Sequence, residues 1–356
     1  MKKIMLTIGK LDMGGAEMRL LNLINDLNDL NVNAYFYIYV NSGEKGVLTE
    51  DFLKNKNLNI IYGVKGFKGL GLFYRTLKKI NPDILHLNSS LAAGIYALIG
   101  KMANIKNIYS HIRTAEHYGN GFLYHSKQFV FSTMMNIFSD KVIGVCDGAR
   151  KLSKTNLKKW KTIYNGIHIK ENLPINNYKK FSLICIGRQN IAKNQPFLID
   201  VLKELKEHYP DRDWKLDYYG REDANIMKEI KEKIDSYGLH KDVSLCGETK
   251  DPLNTISNYH LLLLPSIREG LPGVVLEALS VGRKAIVSNL DGCQEIAHII
   301  PHVKVVEKFS PDLWAEIIYE NCEENDNQAN LIVKDFRKSI FIHDNHVKAM
   351  LNLWEV

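Results

Sequence analysis

Two cations and two carboxylates in the second half of the chain have the types and spacing to hold a phosphorylated sugar. The carboxylates lie in Ser266-Ile267-Arg268-Glu269-Gly270-Leu271-Pro272-Gly273-Val274-Val275-Leu276-Glu277-Ala278. An apolar run over 261–264, short enough for a buried strand, precedes this stretch, and Val274, Leu276, Ala278 and Leu279 continue it with helical spacing. The order is strand, loop, helix. Gly270, Pro272 and Gly273 mark the loop, so backbone amides point out of the helix start, where the dipole and unpaired N–H groups favour an anion. That is a seat for phosphate. Glu269 falls in the loop and Glu277 about one turn into the helix. Carboxylates beside an anion site are costly unless they bind something else, and vicinal sugar hydroxyls are suitable donors. Phosphate and sugar hydroxyls together suggest a nucleotide sugar.

A nucleoside diphosphate gains negative charge as its bond to a sugar breaks, so something positive must receive it. Arg188 directly follows a predicted strand over 182–186, and Lys193 stands just ahead of a helix opened by Pro196; both can converge on a diphosphate at the strand ends. A divalent metal is the other solution, and Asp211-Arg212-Asp213 presents paired carboxylates. They precede the strand at Leu216, however, which puts them at the amino edge of the sheet, away from the ligand side. No metal and no cofactor beyond the nucleotide-sugar substrate are expected. In the first half, Gly14-Gly15 follows a strand and suits close approach of backbone to a ligand. His86 and His111 stand at the carboxyl ends of strands 83–87 and 105–110, where ligands of parallel sheets collect. An inverting displacement needs a base, and Glu17, Glu116 and Asp147 are the conceivable carboxylates for it.

The pattern Glu269-Gly270-x-Pro272-x4-Glu277-Ala278 resembles the Glu-x7-Glu signature of family 4 of the retaining glycosyltransferases. Gly187-Arg188 with Lys193-Asn194 resembles that family's Gly-Arg…Lys-Asn motif, and Asn165-Gly166-Ile167 is similar to the turn at which its first domain passes into its second. The resemblance covers most of the chain, strongly over 181–298 and weakly before 140. It implies an α/β protein of the GT-B fold, two Rossmann-like doubly wound domains facing each other across a cleft. It also implies metal-independent transfer with retention, by front-face attack in which the departing phosphate takes the acceptor's proton. Carried onto this sequence, Arg188 and Lys193 receive the diphosphate, Glu269 holds hydroxyls of the transferred sugar and Glu277 the ribose. The loop of Gly270, Leu271, Pro272, Gly273 and Val274 contributes amides to sugar and diphosphate, while Gly220 and Gly247 to Thr249 lie beside the base. Gly14 and Gly15 lie next to the donor's phosphates and the acceptor, and His111 faces the transferred sugar. The expected reaction moves a hexose or N-acetylhexosamine from a nucleotide sugar, UDP-linked by family frequency, to a lipid-linked saccharide. Its setting is bacterial surface polysaccharide: O-antigen, other lipopolysaccharide, capsule or exopolysaccharide. A sugar-nucleotide epimerase or a phosphorylase on the same fold is the alternative.

The elements that must position these residues repeat as βα units. Strands over 3–8, 34–40, 83–87, 105–110 and 140–145 alternate with helices such as the one carrying Leu20, Leu23, Ile24 and Leu27. Strands over 182–186, 216–219, 243–246, 261–264 and 285–288 do the same in the second half. Parallel, doubly wound sheets are the economical arrangement. The loop at Gly14-Gly15 lacks the Gly-x-Gly-x-x-Gly pattern, so a nicotinamide role finds no support. The expected domains are 1–170 for the acceptor and 171–334 for the nucleotide sugar, with a linker over 171–180. On the resemblance, a helical tail, about 335–356, crosses back onto the first domain.

At 356 residues, 45% hydrophobic and 24% charged, the chain has the size and composition of two soluble globular domains. No apolar run approaches the roughly 18 residues of a membrane span, and the N-terminal stretch reads as a first strand rather than a signal peptide. Five scattered cysteines without disulfide or zinc spacing point to a reducing cytoplasm. Residues 1–170 hold 24 Lys and Arg against 11 Asp and Glu, while the remainder holds 23 against 29. The basic half is the one with a candidate anionic partner. Lys65, Lys68, Arg75, Lys78 and Lys79 interleave with Phe67, Leu70, Leu72, Phe73 and Leu77, as in a segment lying on anionic lipid, and Arg150, Lys151, Lys154, Lys158, Lys159 and Lys161 form a second basic run. The expectation is peripheral binding to the inner face of the cell membrane. Nucleic acid is not expected, because stacking and helix-turn-helix signatures are absent and Glu269 and Glu277 would have no role.

Overall fold

Runs of β-branched and aromatic residues alternate with helical periodicity along the whole chain, and each run becomes a parallel strand. The structure is a computed structural model describing residues 1–115, 121–170, 181–322 and 326–356. The expected linker over 171–180 and Glu116 lie outside the described residues. The chain divides into two compact units, Met1–Gly166 with Asp344–Val356, and Ile167–His343.

In the first unit, β1 (Lys2–Ile8), β2 (Ala34–Val40), β3 (Leu58–Tyr62), β4 (Ile84–Leu87), β5 (Asn107–Ile112), β6 (Lys141–Gly144) and β7 (Trp160–Thr162) form one sheet. Its order is β3-β2-β1-β4-β5-β6-β7, and every recorded pair is parallel. Helices α1 (Gly15–Asp29), α2 (Thr49–Leu53), α3 (Phe67–Ile80), α4 (Ala93–Met102), α5 (Phe122–Phe138) and α6 (Ala149–Ser153) link the strands. The second unit carries β8 (Ser182–Ile186), β9 (Lys215–Tyr219), β10 (Val243–Leu245), β11 (Leu261–Leu264), β12 (Lys284–Ser288) and β13 (Val303–Val306), in the order β10-β9-β8-β11-β12-β13. Its helices are α7 (Phe197–His208), α8 (Ala224–Tyr237), α9 (Pro252–Ser257), α10 (Gly273–Ser280), α11 (Asp291–Ile299), α12 (Pro311–Asn321) and α13 (Asp326–Lys338); α14 (His343–Trp354) follows. Both sheets are doubly wound, Rossmann-like arrangements. In each, the strand order reverses once, at β1/β4 and at β8/β11, and the connections leaving those two strands open a crevice at their carboxyl ends.

The helical tail is two helices with different allegiances. α13 packs on α10 within the second unit. α14 belongs to the first, where Val347, Met350, Leu353 and Trp354 join the core formed by β1, β2 and α1. Trp354 and Leu353 are fully buried, which makes the last helix an integral part of that core. Lys2 ties it down further by donating to the carbonyls of Trp354, at 2.8 Å, and Glu355, at 3.0 Å, at the negative end of the helix.

Helix α3 differs from its expected role. Phe73 and Leu77 are fully buried, Phe73 making edge contacts with Tyr39 and Tyr96, so its apolar stripe faces the core. Of its large apolar residues Phe67, 91% exposed, and Tyr74, 37% exposed, stand out, beside exposed Lys65, Lys68, Arg75, Lys78 and Lys79. In the second basic run, Lys159 donates to the carbonyls of Asn136 and Ser139 and so closes the end of α5. Among the described residues no helix is long and apolar enough to cross a membrane.

Candidate active site

In the second unit, the turn after β8 and the loop after β11 leave the sheet side by side at its reversal point. They are joined by their backbones, the Ile267 amide donating to the Ala192 carbonyl at 2.8 Å. The side chains then meet across the join: Lys193 Nζ lies 2.5 Å from Glu269 Oε1, with Lys193 22% and Glu269 13% exposed. Ser266, fully buried, donates to the same Oε1 at 2.7 Å, and Ser288 at the end of β12 donates to the Ser266 carbonyl. Asn190 holds the turn by accepting from the Lys193 amide through its side chain at 3.1 Å. Two of Lys193's three ammonium protons and the second oxygen of Glu269 are thereby left for a ligand.

Glycine ends β8 and β9 because backbones come too close for anything larger. Gly220 has φ +135°, and a Cβ there would stand 2.1 Å from the Gly187 carbonyl oxygen. Gly187 donates to the Tyr219 carbonyl at 2.9 Å and Gly220 to the Gly247 carbonyl at 2.7 Å, so the three predicted glycines form one continuous seam along the strand ends. Lys193 lies over it, its Cε 3.6 Å from where a Gly187 Cβ would be. Arg188 follows Gly187 and is exposed. On the other side, Pro272 caps α10 in extended conformation, Gly273 and Val274 begin the helix and Glu277 sits in it, half-buried. Gly292 in α11 packs so tightly on the Gly270 carbonyl that a Cβ would come within 1.8 Å of that oxygen. Thr249 is tied into the start of α9, its hydroxyl 2.7 Å from that of Thr255.

The Asp-x-Asp segment is held locally. Asp213 pairs with Lys215 at 3.1 Å and Asp211 lies 3.8 Å from Arg212, whose guanidinium sits 4.0 Å from the Tyr319 ring centre and donates to that residue's carbonyl.

The first unit has its own polar cluster. Gly14 is the N-cap of α1 and Gly15 its first residue, with Glu17 folded back over Gly14. His86 and His111 are both about 1% exposed, and His86 Nε2 lies 3.1 Å from His111 Nδ1. Arg113 donates twice to Asn88 Oδ1, at 3.2 and 2.7 Å. Desolvation pulls this guanidinium down to about 10, against the nearby carboxylate of Glu17, so it stays cationic at neutral pH. Desolvation likewise draws His86 down to about 3 and His111 well below its ordinary value, Arg113 adding to both. Asp147 accepts from the Thr162 hydroxyl at the sheet's far edge.

Residues 180–322 match the family model described as Glycosyl transferases group 1. Over 329 residues, 89% of this chain and 90% of the relative, the sequence is 31% identical to the capsular polysaccharide biosynthesis glycosyltransferase CapH of Staphylococcus aureus. The chain belongs to the group 1 glycosyltransferases. It is also 24% identical over 373 residues, 91% of this chain and 92% of the other, to the UDP-Gal:alpha-D-GlcNAc-diphosphoundecaprenol alpha-1,3-galactosyltransferase of Escherichia coli. Among solved structures, Anabaena HepE in complex with UDP-glucose matches all of both chains with a TM-score of 0.80 at 16% identity. The two Rossmann-like units of this glycosyltransferase are therefore those of the GT-B class.

Several contributors to its polar clusters are not apparent in the sequence. Ser266, Ser288 and Gly292 act on Glu269 and Gly270 through contacts between loops, which no local spacing encodes. Trp354, 268 residues from the histidine it touches, is likewise invisible until α14 is docked.

Proposed function

We propose that this glycosyltransferase moves a hexose or N-acetylhexosamine from a nucleotide sugar, UDP-linked, to a lipid-linked saccharide in bacterial polysaccharide synthesis, with retention and without a metal. The observation that carries it is the Lys193–Glu269 pair at the reversal point of a nucleotide-type sheet. Lys193 and Arg188 receive the diphosphate as its charge grows. Glu269 uses Oε1 for Lys193 and Ser266, and offers Oε2 to hydroxyls of the transferred sugar. Glu277 takes the ribose, and the amides at the start of α10 take phosphate and sugar oxygens. In the first unit, Gly14 and Gly15 are assigned to the donor's phosphates and the acceptor, and His111 to the transferred sugar. The departing phosphate accepts the proton of the attacking hydroxyl.

Relatives support the substrates. The Escherichia coli relative is named for a UDP-linked donor, a diphosphoundecaprenol acceptor and an α linkage, and a Campylobacter jejuni relative is also named as an α-1,3 transferase onto a diphospho-undecaprenol acceptor. An α product from an α-linked nucleotide donor is retention. The lipid carrier implies work at the cytoplasmic face of the membrane. The basic excess of the first half and exposed Phe67, Phe129, Ile137 and Leu157 suit peripheral attachment there.

The test is nucleoside diphosphate release from a panel of donors, with and without a lipid-diphosphate-linked saccharide pool, in chelator, with the product anomer assigned by NMR. Acceptor-dependent release giving an α linkage is expected. Isomerised donor without acceptor would favour the epimerase, and metal-dependent or β-linked product would end the mechanism. Flotation with anionic and with neutral vesicles tests attachment, equal partitioning counting against it.

A further inference from the structure

Trp354 Nε1 donates to His86 Nδ1 at 3.0 Å, and His86 Nε2 meets His111 Nδ1 at 3.1 Å. An indole nitrogen is only a donor, and a neutral imidazole has one donor and one acceptor. The direction of the whole chain therefore follows from its first member. His86 Nδ1 must be bare, so His86 carries its proton on Nε2 and gives that hydrogen bond to His111 Nδ1. His111 must then carry its own proton on Nε2.

Both rings are neutral on independent grounds. Each is buried, and the charged and titratable groups facing them, Arg113 and His346, disfavour a further positive charge. Glu17 is the carboxylate near Arg113, and Arg19 is the remaining cation lining the cavity here. His111 Nε2 is itself buried and has no hydrogen-bond partner among the described residues. It belongs to a cavity lined also by Asn88, Arg113, His346 and Arg19, with about 10 Å³ of space, the size of one oxygen-centred group. A buried N–H without an acceptor is expensive, so a site that keeps one aims it at a ligand.

We infer that Trp354 and His86 are positioning residues, which lock His111 as a neutral Nε2–H donor to one acceptor oxygen of the bound substrates. His111 thus serves as a fixed donor and is closed to service as a base. The inference rests on the reading above only in taking that oxygen to be the substrate's. It also gives the last helix a role beyond packing, because the relay starts on α14.

Nitrogen-15 NMR of the full chain without substrate decides the tautomers directly. Protons on Nε2 of both His86 and His111, unchanged between about pH 6 and 9, are expected; a proton on His111 Nδ1 would overturn the inference, whatever reaction the protein catalyses. In Trp354→Phe the first donor is gone, so a second tautomer should emerge at both rings; a folded Trp354→Phe protein with His111 unchanged would reduce Trp354 to packing. If that variant does not fold, the wild-type spectrum still decides. Glutamine carries an amide N–H near the Nε2 place. His111→Gln should therefore keep kcat/KM within about threefold while His111→Ala loses about tenfold or more. Equal loss in both would refute the donor role, whereas absence of any transfer by the wild type would refute the function and leave the tautomers standing.

Discussion

Lys193 and Glu269, 76 residues apart in sequence, close to 2.5 Å where two backbone-joined loops leave the sheet at its reversal point. If the cation stabilises the leaving diphosphate, its effect falls on turnover. Lys193→Ala should lower kcat about 10²- to 10³-fold with a smaller change in donor KM. A change confined to KM in steady-state assays would count against that role.

Glu277 is assigned to ground-state binding of the ribose. Glu277→Ala should weaken nucleotide affinity by about 10-fold or more, the worth of a charge-assisted hydrogen bond. Calorimetric titration with the nucleoside diphosphate alone reads this, and unaltered affinity would remove Glu277 from the site.

Acid should unfold the first unit through its histidines. His86 falls to about 3 in the folded state, and His111 is also depressed, whereas both sit near 6.5 once unfolded. The unfolded chain then binds more protons, so stability is full above about pH 6.5 and is lost as pH falls toward 3, by about 1.4 kcal/mol per pH unit for His86, with His111 acting in the same direction. In denaturant titrations at stepped pH, His86→Gln should show a shallower decline by about that amount per unit. An identical slope would show that burial of His86 is not what acid overcomes.

Gly220 should not tolerate a side chain. Its φ of +135° and the Gly187 carbonyl 2.1 Å from an added Cβ combine backbone strain with a clash against rigid backbone. Gly220→Ala should cost about 2 kcal/mol or more of second-unit stability. Chemical denaturation checks it, and a neutral result would mean that the seam between β8 and β9 can open.

Thiol chemistry offers a probe beside the predicted base site. Cys246 is exposed while Cys146, Cys185, Cys293 and Cys322 are buried, and burial pushes the Cys185 and Cys322 thiols up to about 12. One fast-labelling thiol is expected in the native protein, and nucleotide should protect it. Rapid labelling of several thiols, or no protection, would argue against the placement.

Much of this protein is legible without coordinates, because strand and helix periodicities and glycines at strand ends are local properties of the chain. The succession of βα units, the strand–loop–helix around Glu269 and the strand end at Arg188 all come from spacing within a few residues. What local spacing does not contain is which remote segments touch. Only the folded sheets bring Lys193 to Glu269, set Ser266 and Gly292 behind that loop, and send α13 and α14 to different units. The same holds for the apolar stripe of α3, whose Phe73 and Leu77 fit a lipid-facing helix by pattern and are claimed by the core instead. Periodicity says that a face is apolar and is silent about what covers it. The proton on His111 is the extreme case: it is decided by a tryptophan at the far end of the chain, through two hydrogen bonds that exist only after burial has made both histidines neutral.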